Sequence, residues 1–362
     1  MSISSTEASS KTPYFNTGLT RMQKDRTGSF FNYLPQGCRL CYKGAKMVLF
    51  VTGVCGKNCF YCPVSNERRG KDLAFANERP VKKDEDLIEE AISMDALGTG
   101  ITGGEPLLRL ERVVHYIKLL KNQFGEPHHI HLYTALAPEK DVLENLRNAG
   151  LDEIRFHPPP QLWANISNTP YRKSITTAHE LGLSTGIEVP SFHADYRAIL
   201  SLLEEVGGFL NLNELEFSET NSVELNKRGF STVDDVSSAV LGSKGAALAL
   251  TFDRLHFCSS RFKDAVQLRE RFKRIAKKVS RDFDEVTEDG TLVYGVIEGN
   301  CLDILKGTQV EDTMYHVHDG SIETAWWIAE ELADEFKKAG CSVCVIERYP
   351  MKNGMVMEKT PL

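Results

Sequence analysis

Strand-like and helical segments alternate along the chain from residue 46 to residue 219. Short apolar runs that end near a glycine or a polar residue recur, and the segments between them place apolar residues at helical spacing. The strand candidates are residues 46–53, 98–105, 128–134, 152–157, 183–190 and 212–219. Because strands that alternate with helices form parallel βα units, this pattern constrains the chain to an α/β fold.

The six βα units predict a partial (β/α)6-type barrel, although a doubly wound sheet fits the same pattern. In barrels of this kind the functional groups lie at the C-terminal ends of the strands. Residues 253–264 indicate one further strand that runs into a helix, and the tail combines strand-like runs with a helix over residues 321–339. We therefore divide the chain into an N-terminal extension (1–45), a barrel (46–260) and a basic helix with a small α+β C-terminal region (261–362).

Composition and charge are those of an ordinary globular protein. The 362 residues are 41% hydrophobic and 26% charged, and the net charge of -7 gives no whole-chain reason to expect a nucleic acid partner. The first thirty residues are polar, without the apolar run of a signal peptide, and no long apolar run follows. We predict a cytoplasmic protein with a frayed N-terminus and no membrane segment.

Three of the nine cysteines are crowded into one loop directly after the first strand candidate. Cys55, Cys59 and Cys62 lie in the stretch CGKNCFYC, and in a reducing compartment such spacing indicates metal or redox chemistry rather than a disulfide framework. A structural zinc site needs four ligands, and no fourth Cys or His lies close by in sequence. Three cysteines can instead hold three irons of a [4Fe–4S] cluster and leave the fourth iron open to a small ligand.

Two motifs together make the sequence resemble a known family. CGKNCFYC matches the Cys-x3-Cys-x-aromatic-Cys motif of radical S-adenosylmethionine (radical SAM) enzymes, and it follows the first strand, where that family places it. The second strand ends in TGGEPLL, which matches the family's Gly-Gly-Glu motif. The resemblance covers residues 46–219 and is greatest to the branch around pyruvate formate-lyase activating enzyme.

The resemblance implies an enzyme with a specific cofactor chemistry. The open iron of the cluster would bind the amino and carboxylate groups of S-adenosylmethionine. An electron from a donor such as flavodoxin or ferredoxin would cleave a carbon–sulfur bond, and the resulting 5'-deoxyadenosyl radical would abstract a hydrogen from the substrate. The cofactor supplies this chemistry, while the protein positions and shields it.

The resemblance also implies roles for individual residues. Tyr61 would lie beside the adenine of the cofactor. Gly103 and Gly104 would let the backbone approach the methionyl amine, which a Cβ would obstruct, and Glu105 would shape the turn rather than act as an acid. Three further candidates for cofactor contact are taken only from their positions at later strand ends: Thr134, His157 and Glu188.

A second group of cysteines offers a further metal site. Cys38 and Cys41 form a Cys-x2-Cys pair before the first strand, and Cys258 follows the barrel repeats. Together they could hold an auxiliary iron–sulfur cluster, zinc or substrate, or they could be three unconnected buried thiols. Cys341 and Cys344 have similar spacing, but the alternating apolar pattern around them favours positions in the core.

Several partners stay open at this point. The segment 261–281 carries nine basic and two acidic residues, and its basic face could contact RNA, an acidic protein or only solvent. The likeness to an activating enzyme instead suggests a glycyl-radical protein or a peptide as substrate. The rival to an enzyme is a non-catalytic zinc or iron–sulfur module that contacts nucleic acid. Its ligands would be Cys38, Cys41, Cys55, Cys59, Cys62 and Cys258.

Overall fold

The computed structural model describes residues 22–318, 320–352 and 354–362. Residues 1–21, which belong to the predicted frayed N-terminus, lie outside the described residues. Within the described ranges, no helix is both long and apolar enough to cross a membrane.

Seven parallel strands form the centre of the main sheet, each hydrogen-bonded to the next one along the chain. They are Lys46–Phe50, Gly98–Thr102, His129–Thr134, Glu153–Phe156, Ser184–Ser191, Phe209–Glu214 and Leu255–Cys258. The predicted α/β class is confirmed, and the strand expected within residues 253–264 adds a seventh member to the six predicted units. The sixth strand begins at Phe209 rather than at residue 212, because Phe209 and Leu210 are already fully buried.

Antiparallel strands extend the sheet at both edges. Gln23–Lys24 and Phe30–Phe31 lie beside Leu255–Cys258, whereas Ala74–Ala76 and Arg79–Val81 lie beside Lys46–Phe50. In the part of the chain that the structure describes, the eleven strands follow one path whose two ends do not pair. The sheet is therefore an open, partial barrel.

Helices cover the outer face of this sheet. The longer ones are Asp84–Ser93, Leu110–Phe124, Lys140–Ala149, Pro170–Glu180 and Arg197–Glu205. Three acidic residues in the first turn of Asp84–Ser93 favour that helix through its dipole, and Leu110–Phe124 ends at Gly125, whose φ of 77° favours glycine. Further helical segments are Gln36–Tyr42, Pro106–Arg109, Pro160–Asn168, Ser222–Lys227, Ser243–Leu248, Ser260–Phe262, Lys263–Leu268 and Arg269–Val279.

The two faces of the barrel sheet differ in chemistry because successive strand residues point to opposite sides. The outward side chains are aliphatic and pack with the helices in the main core, among them Met47, Leu49, Ile101, Ile130, Leu132, Ile154, Ile187 and Leu212. The inward side chains are polar and line a cavity, among them Lys46, Tyr133, Arg155, Glu188, Asn211 and His256. The interior of the barrel is thus a chamber with charged and polar side chains in its wall, rather than a filled core.

The short helix Gln36–Tyr42 lies against the inner face of the barrel. A Cβ at Gly37 would lie 2.6 Å from His131 Nδ1 and 2.7 Å from Arg155 Nη2, so the helix backbone approaches both strands closely. Leu40 lies over Gly98, the first residue of its strand. The described part of the predicted N-terminal extension therefore fills the N-terminal end of the barrel, and the Cys-x2-Cys pair faces the chamber from there.

The C-terminal region has its own six-stranded antiparallel sheet. Its strands are Glu285–Val286, Leu292–Glu298, Tyr315–His318, Ser321–Thr324, Ser342–Arg348 and Val356–Pro361, with helical segments Leu302–Gly307, Asp312–Met314, Trp326–Glu331 and Ala333–Lys338. The predicted helix over residues 321–339 was wrong in its first turn, because Ser321–Thr324 pairs with Leu292–Glu298. Cys341 and Cys344 are buried, as predicted, and Cys341 forms a disulfide with Cys301.

Candidate active site

The three-cysteine loop opens on the chamber at the C-terminal end of the first strand. Cys55, Cys59 and Cys62 all line a cavity of about 660 Å³. Cys55 is exposed, whereas Cys59 and Cys62 are half-buried. The Cys62 amide donates to the Cys59 carbonyl oxygen at 3.1 Å, and the Lys57 amide donates to Cys55 Sγ at 3.4 Å. The loop therefore presents three soft donors to a single space.

A charged clamp fixes both ends of this loop. Asp72 accepts from Thr52 Oγ1 at 2.8 Å, from Arg109 Nε at 2.8 Å and from Arg112 Nη1 at 2.7 Å. Arg112 also donates to the Val51 carbonyl oxygen at 3.0 Å. The Arg112 and Arg109 guanidinium groups hold the pKa of Asp72 well below its usual range, so the clamp is ionised at neutral pH. It joins the end of the first strand to the helix after the second.

Two glycines let the second strand end approach the loop backbone. A Cβ at Gly103 would lie 2.5 Å from the Thr52 carbonyl oxygen, and a Cβ at Gly104 would lie 2.5 Å from that of Val54. The Gly104 amide donates to Thr52 O at 2.7 Å, and the Glu105 amide donates to Val54 O at 2.9 Å. Packing against the loop is thus a reason for glycine here, separate from the predicted approach to a cofactor amine.

Glu105 is buried behind this turn, with 1% of its surface exposed. Its carboxylate accepts from the Leu107 amide at 3.0 Å, from Thr134 Oγ1 at 2.8 Å and from the Ala135 amide at 2.6 Å. Burial raises the pKa of Glu105, and these three donors oppose the rise without cancelling it. Because protein donors occupy both oxygens, the contacts agree with a role in shaping the turn.

Tyr61 reaches across the cavity mouth to His157. The His157 Nδ1 atom lies 2.7 Å from the Glu188 carbonyl oxygen, so Nδ1 carries the proton and donates. Nε2 is then the acceptor for the Tyr61 hydroxyl at 2.9 Å. Burial lowers the pKa of His157, which keeps this imidazole neutral. The pair fixes the tyrosine ring that follows Cys59 in the loop.

Glu188 lies at the centre of a buried polar network. Arg155 Nη1 donates to Glu188 Oε2 at 2.6 Å, and Asn211 and Asn213 donate to the same carboxylate at 2.9 and 2.8 Å. Burial alone would raise the pKa of Glu188, but Arg155 and the two amides outweigh it and lower the pKa to about 2. Arg155 also pairs with Glu153. Sequence analysis missed this network, although a charge between aliphatic strand residues, as in EIRF, marks an inward-facing position.

Nearly all of the residues singled out in the sequence meet at this cavity. Its lining includes Tyr61, Gly103, Gly104, Thr134, His157, Glu188 and the six cysteines Cys38, Cys41, Cys55, Cys59, Cys62 and Cys258. Glu105 supports the lining from behind through its bond to Thr134. The cofactor contacts predicted for Thr134, His157 and Glu188 stay predictions, and all three also have protein partners.

A cluster and a single metal ion make different demands on the positions of the cysteines. Across residues 22–318, 320–352 and 354–362, no three His, Cys, Asp or Glu side chains are arranged to hold one ion. A tetrahedral zinc site would need such convergence. In an iron–sulfur cube the cysteine sulfurs bind different irons, so the three thiolates of the loop need not meet at one point.

The basic segment 261–281 packs on the barrel and is largely paired. Its ion pairs to acidic side chains include Arg271–Glu78, Arg274–Asp95 and Arg281–Asp284. Lys278 donates to the Ile92 carbonyl oxygen at 2.7 Å. An RNA phosphate would have to compete with these partners, so the contacts give no support to a free cationic surface.

Comparison with known proteins gives two family matches. Residues 49–159 match "Radical SAM superfamily", and residues 290–362 match "Domain of unknown function (DUF8061)". The "Putative glycyl-radical enzyme activating enzyme MJ0021" of Methanocaldococcus jannaschii is 38% identical over 357 residues, covering 92% of this chain and 94% of the relative. The chain belongs to the radical SAM superfamily. The resemblance inferred from the two motifs is therefore confirmed.

Solved structures of Streptococcus suis SuiB are similar to this radical SAM protein at a lower level. SuiB bound to S-adenosylmethionine has a TM-score of 0.37 and 16% identity, covering 49% of this chain and 42% of SuiB. A second SuiB structure has a TM-score of 0.38 and 14% identity, covering 67% of this chain and 54% of SuiB. The chain thus spans about half the length of SuiB.

Membership of this superfamily makes the chain an enzyme. Radical SAM proteins generally combine S-adenosylmethionine with a [4Fe–4S] cluster. The donor set fits that group: three thiols on one loop open on a cavity large enough for a cofactor of this size. Aromatic and backbone groups flank the thiols at Tyr61 and Gly104.

Proposed function

We propose that Cys55, Cys59 and Cys62 hold a [4Fe–4S] cluster with one open iron, and that S-adenosylmethionine binds there in the chamber. When reduced, such a cluster supplies the electron that splits S-adenosylmethionine into methionine and a 5'-deoxyadenosyl radical. With the cofactor bound, this chemistry would remove a hydrogen atom from a substrate held in the same chamber. The observation that carries the proposal is the opening of all three loop thiols on one cavity beside Tyr61 and Gly104.

The protein's own groups have separate tasks in this scheme. The Tyr61–His157 pair holds the aromatic side of the loop, so the adenine has a fixed surface to lie against. The backbone at Gly103 and Gly104 lines the chamber and packs against the cysteine loop, so it holds that loop next to the cofactor. The polar walls around Glu188 orient the substrate, and the barrel keeps the radical away from bulk water. A small electron-transfer protein such as flavodoxin or ferredoxin serves as reductant.

The substrate class we favour is a glycyl-radical protein, which would receive its radical from this enzyme. The support is the Methanocaldococcus jannaschii relative, which is named a putative glycyl-radical enzyme activating enzyme and is 38% identical to this chain over 357 residues. A flexible loop of a partner protein would have to enter the chamber from the side of the cysteine loop. A peptide is the second candidate of the same kind, since it would enter in the same way.

The direct test is anaerobic reconstitution with iron and sulfide, followed by dithionite and S-adenosylmethionine. We expect about four irons per chain at the loop and formation of 5'-deoxyadenosine, measured by mass spectrometry. Cys59→Ala removes one ligand from a half-buried loop position, so it should abolish reductive cleavage while the barrel stays folded. Cys344→Ala is the matched control, because Cys344 is buried in the C-terminal sheet, away from the chamber.

Two results would contradict this function. Protein purified without oxygen that contains zinc but no iron would favour the non-catalytic metal module. Retention of reductive cleavage in Cys59→Ala would show that the cluster ligands are assigned wrongly. The substrate class is tested separately, by incubating the reduced enzyme with a glycyl-radical protein from the same genome and recording the glycyl radical by electron paramagnetic resonance.

A further inference from the structure

We propose that Cys38, Cys41 and Cys258 hold a second iron–sulfur cluster inside the barrel. The inference goes beyond the proposed function, because it concerns three thiols that the radical chemistry at the cysteine loop does not require. They come from two places far apart in the chain: the helix Gln36–Tyr42 and the end of the strand Leu255–Cys258. The fold brings all three to the lining of one cavity.

The local geometry directs these thiols to a common space. Cys38 and Cys41 are three residues apart on a helix, so their side chains lie on the same face, and both are buried. Cys258 ends the seventh strand and pairs in register with Asn213 of the sixth. The neighbouring Asn211 Nδ2 donates to Cys38 Sγ at 3.3 Å, which links the helix to the same wall. Three soft donors thus line the same space inside the barrel.

Lys46 gives an independent indication that an anion belongs here. Its side chain also lines the chamber, and the residue is 8% exposed. Among the described residues, no hydrogen bond or ion pair reaches its ammonium group. Lys46 begins the first strand, and Gly98 of the neighbouring strand lies in register beside it. A buried ammonium without a counter-charge is costly, and such groups are normally paired.

The other interior charges do not serve Lys46. Arg155 lies between Glu153 and Glu188, and both Glu188 oxygens already accept hydrogen bonds from Arg155, Asn211 or Asn213. Three cysteinates that hold a small iron–sulfur cluster give the assembly a net negative charge, which would balance the ammonium. His256 also lines the chamber, and in the described part of the chain neither of its ring nitrogens has a hydrogen-bond partner. Cluster sulfides would accept a hydrogen bond from that ring.

A cluster places a weaker demand on the convergence of the thiols than a single ion does. The three inner thiols are not arranged around one ion in the described residues, and neither are the three thiols of the cysteine loop. Each cysteine of a cluster binds its own iron, so the sulfurs stay apart. A lone zinc ion would require the thiols to converge, together with a fourth ligand.

Two triple variants separate the sites by iron and sulfide content after anaerobic reconstitution. The loop variant combines Cys55→Ser, Cys59→Ser and Cys62→Ser, and the inner variant combines Cys38→Ser, Cys41→Ser and Cys258→Ser. We expect the loop variant to retain about two to four irons per chain with matching sulfide. The inner variant should lose about two to four irons per chain, with matching sulfide, and keep the loop cluster. Cys344→Ser, at a buried thiol outside the chamber, should match the wild type.

The outcomes distinguish this proposal from the proposed function. A loop variant that is folded by circular dichroism but holds less than one iron per chain overturns the second cluster. An inner variant without iron overturns the assignment of the loop cluster instead. Lys46→Met should lower inner-cluster retention in the loop variant at least several-fold. If the loop variant holds no iron and Lys46→Met abolishes binding of inorganic phosphate, the ammonium serves an anionic substrate and the second cluster is wrong.

Discussion

Replacing Gly104 by alanine tests how the second strand end supports the cysteine loop. The new Cβ would lie 2.5 Å from the Val54 carbonyl oxygen and 2.8 Å from that of Gly53. Both atoms belong to backbone, so no flexible side chain can move aside. A separation of 3.0 Å is about the least that real Cβ atoms show, so the loop must move by roughly 0.5 Å next to Cys55.

The cost of this shift can be worked out from the contacts. Overpacking of a rigid site costs about 2 kcal/mol. Two backbone hydrogen bonds, from the amides of Gly104 and Glu105 to the loop, lengthen at the same time and together lose about 1 kcal/mol. Alanine also lowers the conformational entropy of the unfolded chain, which stabilises the fold by about 0.7 kcal/mol. We expect the free energy of unfolding to fall by about 2 kcal/mol.

Urea unfolding of the metal-free protein measures this change, and Gly245→Ala is the control. Gly245 lies in the helix Ser243–Leu248, and a Cβ there would have no neighbour within 4 Å, so that variant should be neutral or slightly more stable. Calorimetry with S-adenosylmethionine then tests the cofactor role of Gly104. If Gly104→Ala leaves the stability of the metal-free protein unchanged and weakens only cofactor binding, the packing argument is refuted and the close approach to the cofactor is the sole reason for glycine.

Two further predictions concern ionised groups away from the thiols. Asp72→Asn should lower the free energy of unfolding by about 1 kcal/mol at pH 7, because the clamp is about one third exposed and its ion pairs are partly screened. Since the pKa of Asp72 is lowered in the fold, this difference should be complete above pH 3.8 and should shrink steadily as the pH falls further; a difference that does not shrink in acid would contradict the clamp. Burial lowers the pKa of His128 from 6.5 to about 4, so its neutral form stabilises the fold above pH 6.5 and that contribution is lost as the pH falls towards 4. His128→Gln should therefore reduce the acid sensitivity of unfolding by about 3 kcal/mol over this range, and an unchanged pH profile would show that His128 is not held neutral.

The sequence was most informative where a local pattern has one structural meaning. Strand–helix alternation predicted the parallel sheet, because apolar runs of this length between amphipathic helices have few other uses. The two motifs predicted the family, since CGKNCFYC and TGGEPLL follow consecutive strands. The sixth strand was placed too late, because the apolar residues of ELEF form a second strand-like run a few residues after those of FLNL. Periodicity alone does not choose between two such runs.

The interior of the barrel depends on pairings that no local pattern contains. Arg155 and Glu188 lie on neighbouring strands whose register is set by the whole sheet, and their ion pair forms only once that register exists. The same holds for Cys38 and Cys258, which a helix and a distant strand bring to one chamber. The polar interior has a chemical consequence: a chamber with fixed charges and thiols can orient a charged group of a substrate or a cluster, whereas an apolar one would only exclude water. The ammonium of Lys46, a buried residue in the wall of this chamber, therefore marks a place where a negative charge would be stabilised.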